Sequence, residues 1–273
     1  MTHRYLDSPT PIALAHRGGW TDGPGGAARG ALENTAAAFQ HAVDLGYRYL
    51  ETDVHATRDG VLMAFHDPTL DRATGTPGAI ADLPYAAVQR ARVGGTEPVP
   101  RLDELLGSWP EARFNIDVKD DAAAEPLADV LARTGAWDRV CIGSFDQRRL
   151  DRVRRLLGRR GMPAATSCGP HDVARLRFAS LVPLLLPLVR RGVDCVQIPV
   201  AMNGFPILSR DLIAAAHRFG MQVHVWTVND TGVMERLLDA GVDGIVTDNT
   251  AGLRGVLAAR GAWPTHPPAA RAR

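Results

Sequence analysis

The sequence predicts an α/β protein of the (β/α)8 TIM-barrel class, with an insertion after the second strand. Three observations predict it. Nine strand-like runs are readable along the chain, and eight of them alternate with helical stretches, as in a parallel barrel. The odd one, Val61 to Phe65, follows its predecessor too closely for a helical crossover, so it reads as the return of a hairpin. No repeat at solenoid spacing competes with this reading. A single barrel domain is expected over 10–260, with extra chain at about 56–100 and a Pro-containing tail at 261–273 that is expected to fray.

The first strand is the apolar run Ile12 to Ala15, ending at His16-Arg17-Gly18-Gly19. Thr21 to Gly30 is Gly-rich and expected to be mobile. Asn34 or Thr35 can cap a helix from about Ala36 to Leu45, closed by Gly46. Tyr47 to Val54 is the second strand, returning through Val61 to Phe65. Asp67 to Pro100 reads as mostly irregular, with a possible helix at Tyr85 to Arg92, before helical periodicity resumes at Leu102 to Trp109. Strands then follow at Phe114–Val118, Val140–Ile142, Ala164–Ser167, Cys195–Ile198, Gln222–Val228 and Gly244–Thr247. Helices follow them at Ala122–Thr134, Gln147–Arg159, Pro170–Arg177, Ser209–Phe219, Thr231–Ala240 and about Thr250–Arg260. Gly220 and Gly241 close two of these helices.

Composition narrows the function classes. A 45% hydrophobic and 22% charged chain with a net charge of +1 has no field that points to nucleic acid or to an anionic membrane surface. Cys141, Cys168 and Cys195 lack metal-ligand spacing, and their odd number suggests a reducing compartment, hence a cytoplasmic location. No basic region precedes an apolar run at the N-terminus, so no signal peptide is expected. The most apolar stretch, Leu181 to Val189, is too short to span a bilayer and carries two prolines; it reads as a packed crossover segment. Nothing indicates an oligomeric state.

The stretch Tyr49 to Asp67 gathers chemistry. Asp59-Gly60 suits a two-residue hairpin turn, which would pair Arg58 with Val61 and set Asp53 opposite His66. Glu51 and Asp53, two apart, share a face of their strand. Active sites of such barrels lie at the C-terminal strand ends. There the first strand offers His16 and Arg17, the third Asp117 and Lys119, the fourth Ser144-Phe145, the sixth Gln197, the seventh Trp226 and the eighth Asp248.

Glu51, Asp53 and Asp117 would repel one another unless neutralised. A hard divalent cation with oxygen ligands, Mg²⁺ or Ca²⁺, is the natural candidate; a salt-bridge network with Arg17 and Lys119 is the alternative. Three carboxylates, a divalent cation, Arg17 and Lys119 together leave one positive charge, which suits a monoanionic phosphodiester. His16 and His66 could each transfer a proton near neutral pH, one as acid and one as base; for either alone a structural or metal-ligand role is the alternative, and beside the carboxylate cluster the pair is expected to be catalytic. Arg17 offers a planar fork matched to phosphate oxygens, and Trp226 a surface for ligand packing. His55 and His224 read as structural, each expected by alternation to face away from its neighbours at the strand ends.

The residues so assembled resemble the glycerophosphodiester phosphodiesterases. The resemblance rests on AHRGG at 15–19, ENT at 33–35, ETDVHATRDGVLMAFHD at 51–67, NIDVK at 115–119, WTVND at 226–230 and GVDGIVTD at 241–248, in order over nearly the whole chain. It implies a barrel with an insertion after the second strand, His16 and His66 as the acid–base pair, and Glu51, Asp53 and Asp117 as metal ligands. It also implies that Arg17 and Lys119 contact the phosphate, that Glu33 helps order the site, and that Trp226 packs on the glycerol or head group. Two features depart from the family pattern: Asp117 stands where Glu is more frequent, and the loop between His16 and Glu33 is long and Gly-rich.

The expected reaction is cleavage of a glycerophosphodiester to an alcohol and sn-glycerol 3-phosphate, either directly by water or through a cyclic phosphate. Three rivals stand beside it. One is lysophospholipase D-type cleavage, with Leu181 to Val189 as the acyl path. Another is a non-catalytic phosphodiester-binding barrel, although every expected position is filled. The last is a metal-dependent sugar isomerase or aldolase, which gives no reason for the His-Arg-Gly start.

Overall fold

The computed structural model describes residues 3–19, 32–182, 189 and 193–263. Eight strands form the barrel: β1 (Ile12–His16), β2 (Tyr49–Ala56), β3 (Arg113–Val118), β4 (Val140–Gly143), β5 (Ala165–Thr166), β6 (Cys195–Pro199), β7 (Gln222–Trp226) and β8 (Gly244–Thr247). They are paired in the order β5-β4-β3-β2-β1-β8-β7-β6, all parallel. A single bridge, Ser167 to Cys195, joins the two ends of this sheet. Eight helices alternate with the strands: α1 (Ala36–Asp44), α2 (Leu102–Ser108), α3 (Ala124–Thr134), α4 (Gln147–Arg159), α5 (Pro170–Leu181), α6 (Arg210–Arg218), α7 (Thr231–Asp239) and α8 (Thr250–Ala259). The predicted fold class holds.

Local chemistry explains where the helices begin. Thr35, Asp146, Ser209, Asp230 and Asn249 each accept a hydrogen bond from the backbone N–H three residues on, satisfying a donor that the first turn leaves free. Helix α5 runs one turn past its expected end and stops at Leu181. Of the apolar stretch that begins there, Val189 is buried in the main core, while 183–188 lie outside the described residues. The Gly-rich loop and the tail from residue 264 lie outside them too.

Side-chain alternation sorts the strands into two layers. Leu50, Val54, Phe114, Ile116, Val140, Ile142, Val223 and Val225 point outward and pack under the helices. Residues of the opposite parity point inward. At the N-terminal end these are apolar: Leu14, Tyr49, Cys141, Ala165, Cys195 and Val246, closed by Tyr5 and Leu6 of the first turn. Nearer the C-terminal end the same parity presents His16, Glu51, Asp53, Asn115, Asp117, Gln197 and Trp226, all of which line one cavity. The fold thus buries a polar set inside an apolar shell.

The hairpin differs from expectation. Thr57 N–H donates to the Val61 carbonyl (2.9 Å), Gly60 N–H donates to Thr57 (2.9 Å), and Gly60 has φ +79°. The loop therefore has three residues, a turn followed by a left-handed glycine, and not two. Asp53 consequently lies opposite Phe65, whose N–H it receives (3.0 Å), and His66 falls one residue beyond the pair. The chain that follows folds on its own small core of Met63, Phe65, Leu70, Ile80, Val88, Ala91, Val93 and Val99. The helix expected at Tyr85 to Arg92 covers only Tyr85–Val88, because Arg92–Val93 turns into a short antiparallel ladder with Glu97–Pro98. Among the described residues, no helix is long and apolar enough to cross a membrane. Their three cysteines are free thiols, all buried.

Candidate active site

At the end of β1 the chain turns sharply: Arg17, Gly18 and Gly19 have φ of +53°, +88° and +81°. A Cβ on Gly18 would stand 2.6 Å from the Cβ of Ala38, and one on Gly19 would stand 2.3 Å from a methyl of Thr250. Both positions therefore need glycine for space as well as for backbone conformation. The turn aims the Arg17 backbone N–H at the Glu51 carboxylate (3.1 Å) and carbonyl (3.0 Å).

Strand register brings the carboxylates together. His16 is the Cα partner of Glu51 across β1 and β2, and Asp53 is the partner of Asp117 across β2 and β3. Asp53 is almost fully buried; it ion-pairs with Lys119 Nζ (2.9 Å) and Arg17 Nε (3.1 Å) and accepts a hydrogen bond from the Asn34 amide (3.1 Å). Burial alone would raise its pKa; Lys119 and Arg17 outweigh that and hold it below the usual range. Lys119 also donates to Asp117 Oδ2 (2.6 Å), yet burial keeps the Asp117 carboxyl above its ordinary value. Burial and the nearby Asp53 push Glu51 up to about 7.

Each histidine is held through Nδ1 by a carboxylate. His16 meets Asp248 Oδ1 and His66 meets Asp67 Oδ1, both at 2.6 Å. Burial would depress the His16 pKa; the Asp248 hydrogen bond and the Glu51 charge outweigh it and raise it. Asn229 in turn donates to Asp248 (2.8 Å). Asp67 and Glu33 share one partner, Arg72, which bonds Asp67 through Nε (2.5 Å) and Glu33 through Nη2 (2.5 Å). Glu33 also accepts from Arg17 (3.2 Å).

All the proposed catalytic and metal-ligating residues, His16, His66, Glu51, Asp53 and Asp117, line one cavity of about 330 Å³ with Arg17, Lys119 and Trp226. Glu33 stands behind Arg17 and is not part of the lining. The alternation argument for His55 and His224 fails, since they share the parity of Asp53 and Trp226. His224 is fully buried in the barrel interior, against Gln197 (3.3 Å) and Gln222 (3.1 Å). His55 holds the His66 carbonyl (3.1 Å) and Asp120 (3.0 Å). Both have the structural partners first expected of them, reached by a different geometry.

Sequence reading assigned no place in the site to Asp248, Asn34, Asp67 or Arg72, and offered Asn34 only as a helix cap, a role that Thr35 takes while Asn34 donates to Asp53. Asp248 was visible as a strand-end carboxylate, and Asn34 sat inside the ENT motif. Asp67 follows His66 directly.

The donor set fits a hard cation in chemistry: oxygen ligands only, an Asp117 Oδ1 that is buried with no hydrogen-bond partner, and an under-compensated Glu51. Among the described residues no three His, Cys, Asp or Glu groups form a ready metal cage. Instead the Lys119 ammonium bridges Asp53 and Asp117.

Two substitutions probe the carboxylates behind the histidines. Asp248→Asn is expected to lower kcat by about 10²-fold with little change in KM, because an amide does not stabilise an imidazolium; steady-state kinetics checks this. Arg72→Ala is expected to lower kcat/KM by about tenfold, since it releases both Asp67 and Glu33, and Arg72→Lys to recover little of it, having no planar fork.

Residues 16–251 match the model of the glycerophosphoryl diester phosphodiesterase family. A probable glycerophosphodiester phosphodiesterase 2 of Mycobacterium tuberculosis is 41% identical over 96% of both chains. A solved structure from Silicibacter pomeroyi, a putative glycerophosphoryl diester phosphodiesterase, has a TM-score of 0.76 at 23% identity, covering 96% of this chain and 100% of its own. A phosphodiesterase of Oleispira antarctica, solved in complex with the product sn-glycerol-3-phosphate, has a TM-score of 0.70 at 19% identity, covering 91% of this chain and 97% of its own.

Proposed function

The chain belongs to the glycerophosphoryl diester phosphodiesterase family, and from that premise we propose that it hydrolyses glycerophosphodiesters to an alcohol and sn-glycerol 3-phosphate by acid–base catalysis at His16 and His66. The observation that carries the reading is the single cavity in which both imidazoles meet Arg17, Lys119 and three buried carboxylates.

Arg17 and Lys119 bind the non-bridging oxygens of the phosphate, Arg17 through its planar fork. Glu51, Asp53 and Asp117 would hold a divalent cation, Mg²⁺ or Ca²⁺, which supplies charge neutralisation on the same oxygens when bound. One histidine takes the proton of the attacking hydroxyl, and the other gives a proton to the departing alkoxide. Asp248 and Asp67 fix the ring orientation and tautomer, so that each Nε2 is left for the substrate, that of His16 lying 3.9 Å from Glu51 Oε2. Trp226 packs against the glycerol or head group. The Mycobacterium tuberculosis relative supports the same activity class, and a reducing compartment such as the cytoplasm suits three free thiols.

The test is direct. Purified protein with Mg²⁺ or Ca²⁺ and sn-glycero-3-phosphocholine is expected to release choline and sn-glycerol 3-phosphate in equal amounts. Binding without release would favour the non-catalytic barrel instead.

A further inference from the structure

The net charge of +1 hides an uneven distribution. The stretch 147–160, which is α4 and the residue after it, carries seven arginines and one aspartate, a local charge of +6, so the rest of the chain is net acidic. Leu150, Val153 and Leu157 fix this helix to the barrel. Arg149, Arg154 and Arg160 are taken up by Asp121, Asp151 and Asp129. The other four, Arg148, Arg152, Arg155 and Arg159, recur at steps of four, three and four. That spacing sets them in one stripe about 16 Å long, opposite the buried leucines and valine. All four are exposed, and among the described residues none of them forms an ion pair with a carboxylate; Arg152 reaches only the Asp121 carbonyl (3.4 Å). Like charges one turn apart on a helix repel, so the stripe costs stability until an anionic partner offsets it.

The same sector carries the apolar surface. All seven large hydrophobic side chains exposed among the described residues lie between 145 and 205. Phe145, 63% exposed, stands just before the cap of α4 and at the mouth of the cavity. Phe178, 64% exposed, and Leu181 lie on the solvent side of α5. Directly after β6, Ala201–Met202 pairs with Phe205–Pro206 in a small antiparallel hairpin, turned by Asn203 and Gly204 at φ +51° and +80°, and Phe205 at its tip is 74% exposed. The two helices and the hairpin follow β4, β5 and β6, which are consecutive around the barrel.

We infer that the α4–α5 flank and the 201–206 hairpin form a docking face for a bilayer that contains anionic phospholipid. The arginine stripe lies on the head groups, and Phe178, Leu181 and Phe205 reach the acyl boundary. Charge complementarity requires an anionic occupant. The apolar side chains select a membrane over a nucleic acid, which would neutralise the stripe and leave Phe178 and Phe205 in water. Arginines set beside exposed aromatic and aliphatic groups are the composition of a surface that lies on a membrane without crossing it. The inference goes beyond the hydrolase reading and does not depend on it.

The experiment mixes the intact protein with vesicles of phosphatidylcholine alone, or of phosphatidylcholine with about one-third phosphatidylglycerol, and reads the bound fraction by flotation at low and at high salt. The native protein is expected to bind the anionic vesicles at least about tenfold more tightly than the neutral ones, and to lose that preference at high salt. The triple variant Arg148→Gln/Arg155→Gln/Arg159→Gln is expected to bind about a hundredfold more weakly, at about fivefold per arginine. Phe205→Ser is expected to bind about tenfold more weakly. Both variants are expected to keep native circular dichroism and to hydrolyse dissolved glycerophosphocholine within about twofold of native, because none of the four side chains lines the cavity. Absence of binding to anionic vesicles, equal binding to both vesicle types, or a triple variant that binds like the native protein overturns the inference. So does unchanged binding by Phe205→Ser, or tighter binding of a DNA duplex than of the anionic vesicles, because charge alone then accounts for the surface. Vesicle binding without hydrolysis of glycerophosphocholine overturns the proposed function and leaves the docking face standing.

Discussion

His16→Ala and His66→Ala are each expected to lower kcat by about 10²–10⁴-fold while leaving the fold intact. Both side chains face a cavity and not the packed core, so neither removal opens a void among apolar groups. Each imidazole is held at 2.6 Å by its own carboxylate, and neither can take over the other's geometry. The loss should therefore be similar in the two variants, and the double variant should be little worse than either single one, because removing one proton-transfer partner already stalls the step. Steady-state kinetics with glycerophosphocholine, read beside circular dichroism, measures this. Near-native turnover in either variant would refute the assignment.

Stripping divalent cations is expected to lower kcat by about a thousandfold, and Mg²⁺, Ca²⁺ or Mn²⁺ to restore it in an order that identifies the preferred ion. A second readout is independent of turnover. Glu51, Asp53 and Asp117 are buried close together, and burial raises the pKa of Glu51 and Asp117, so a bound cation relieves a cost the apo protein carries. At a hundred times its Kd, a cation specific to the folded state stabilises it by about 2.7 kcal/mol, visible as an upward shift in Tm. Asp117→Asn should abolish most of that shift. If the chelated protein keeps its rate and added cations leave its Tm unchanged, Lys119 and Arg17 are the only cations the carboxylates require.

Much of this was legible in the sequence because a parallel barrel reads as a simple code. Eight strand runs with helices between them specify the order of elements, and parity then sends Glu51, Asp53 and Asp117 to the same interior as His16. The hairpin was misread by one residue because Asp59-Gly60 suits either a two- or a three-residue loop; the choice falls to Gly60 and to Asp59, whose carboxylate accepts from Thr57 and Tyr85. Parity also misled at His55 and His224, where depth along the barrel, and not the face, separates a site residue from a packed one. Asp248 lies 232 residues from His16, and only barrel closure brings them together. Arg72 was out of reach for a related reason: its partners Glu33 and Asp67 come from different βα loops, and no local periodicity links them.

The seam between β1 and β8 has a consequence for how the protein comes into being. The histidine at the end of the first strand is oriented by a carboxylate at the end of the last. A nascent chain on the ribosome therefore carries most of its reactive groups long before it can use them. Competence arrives only when the final strand docks, and a protease that trims that strand away disarms the molecule without touching any group that meets the phosphate.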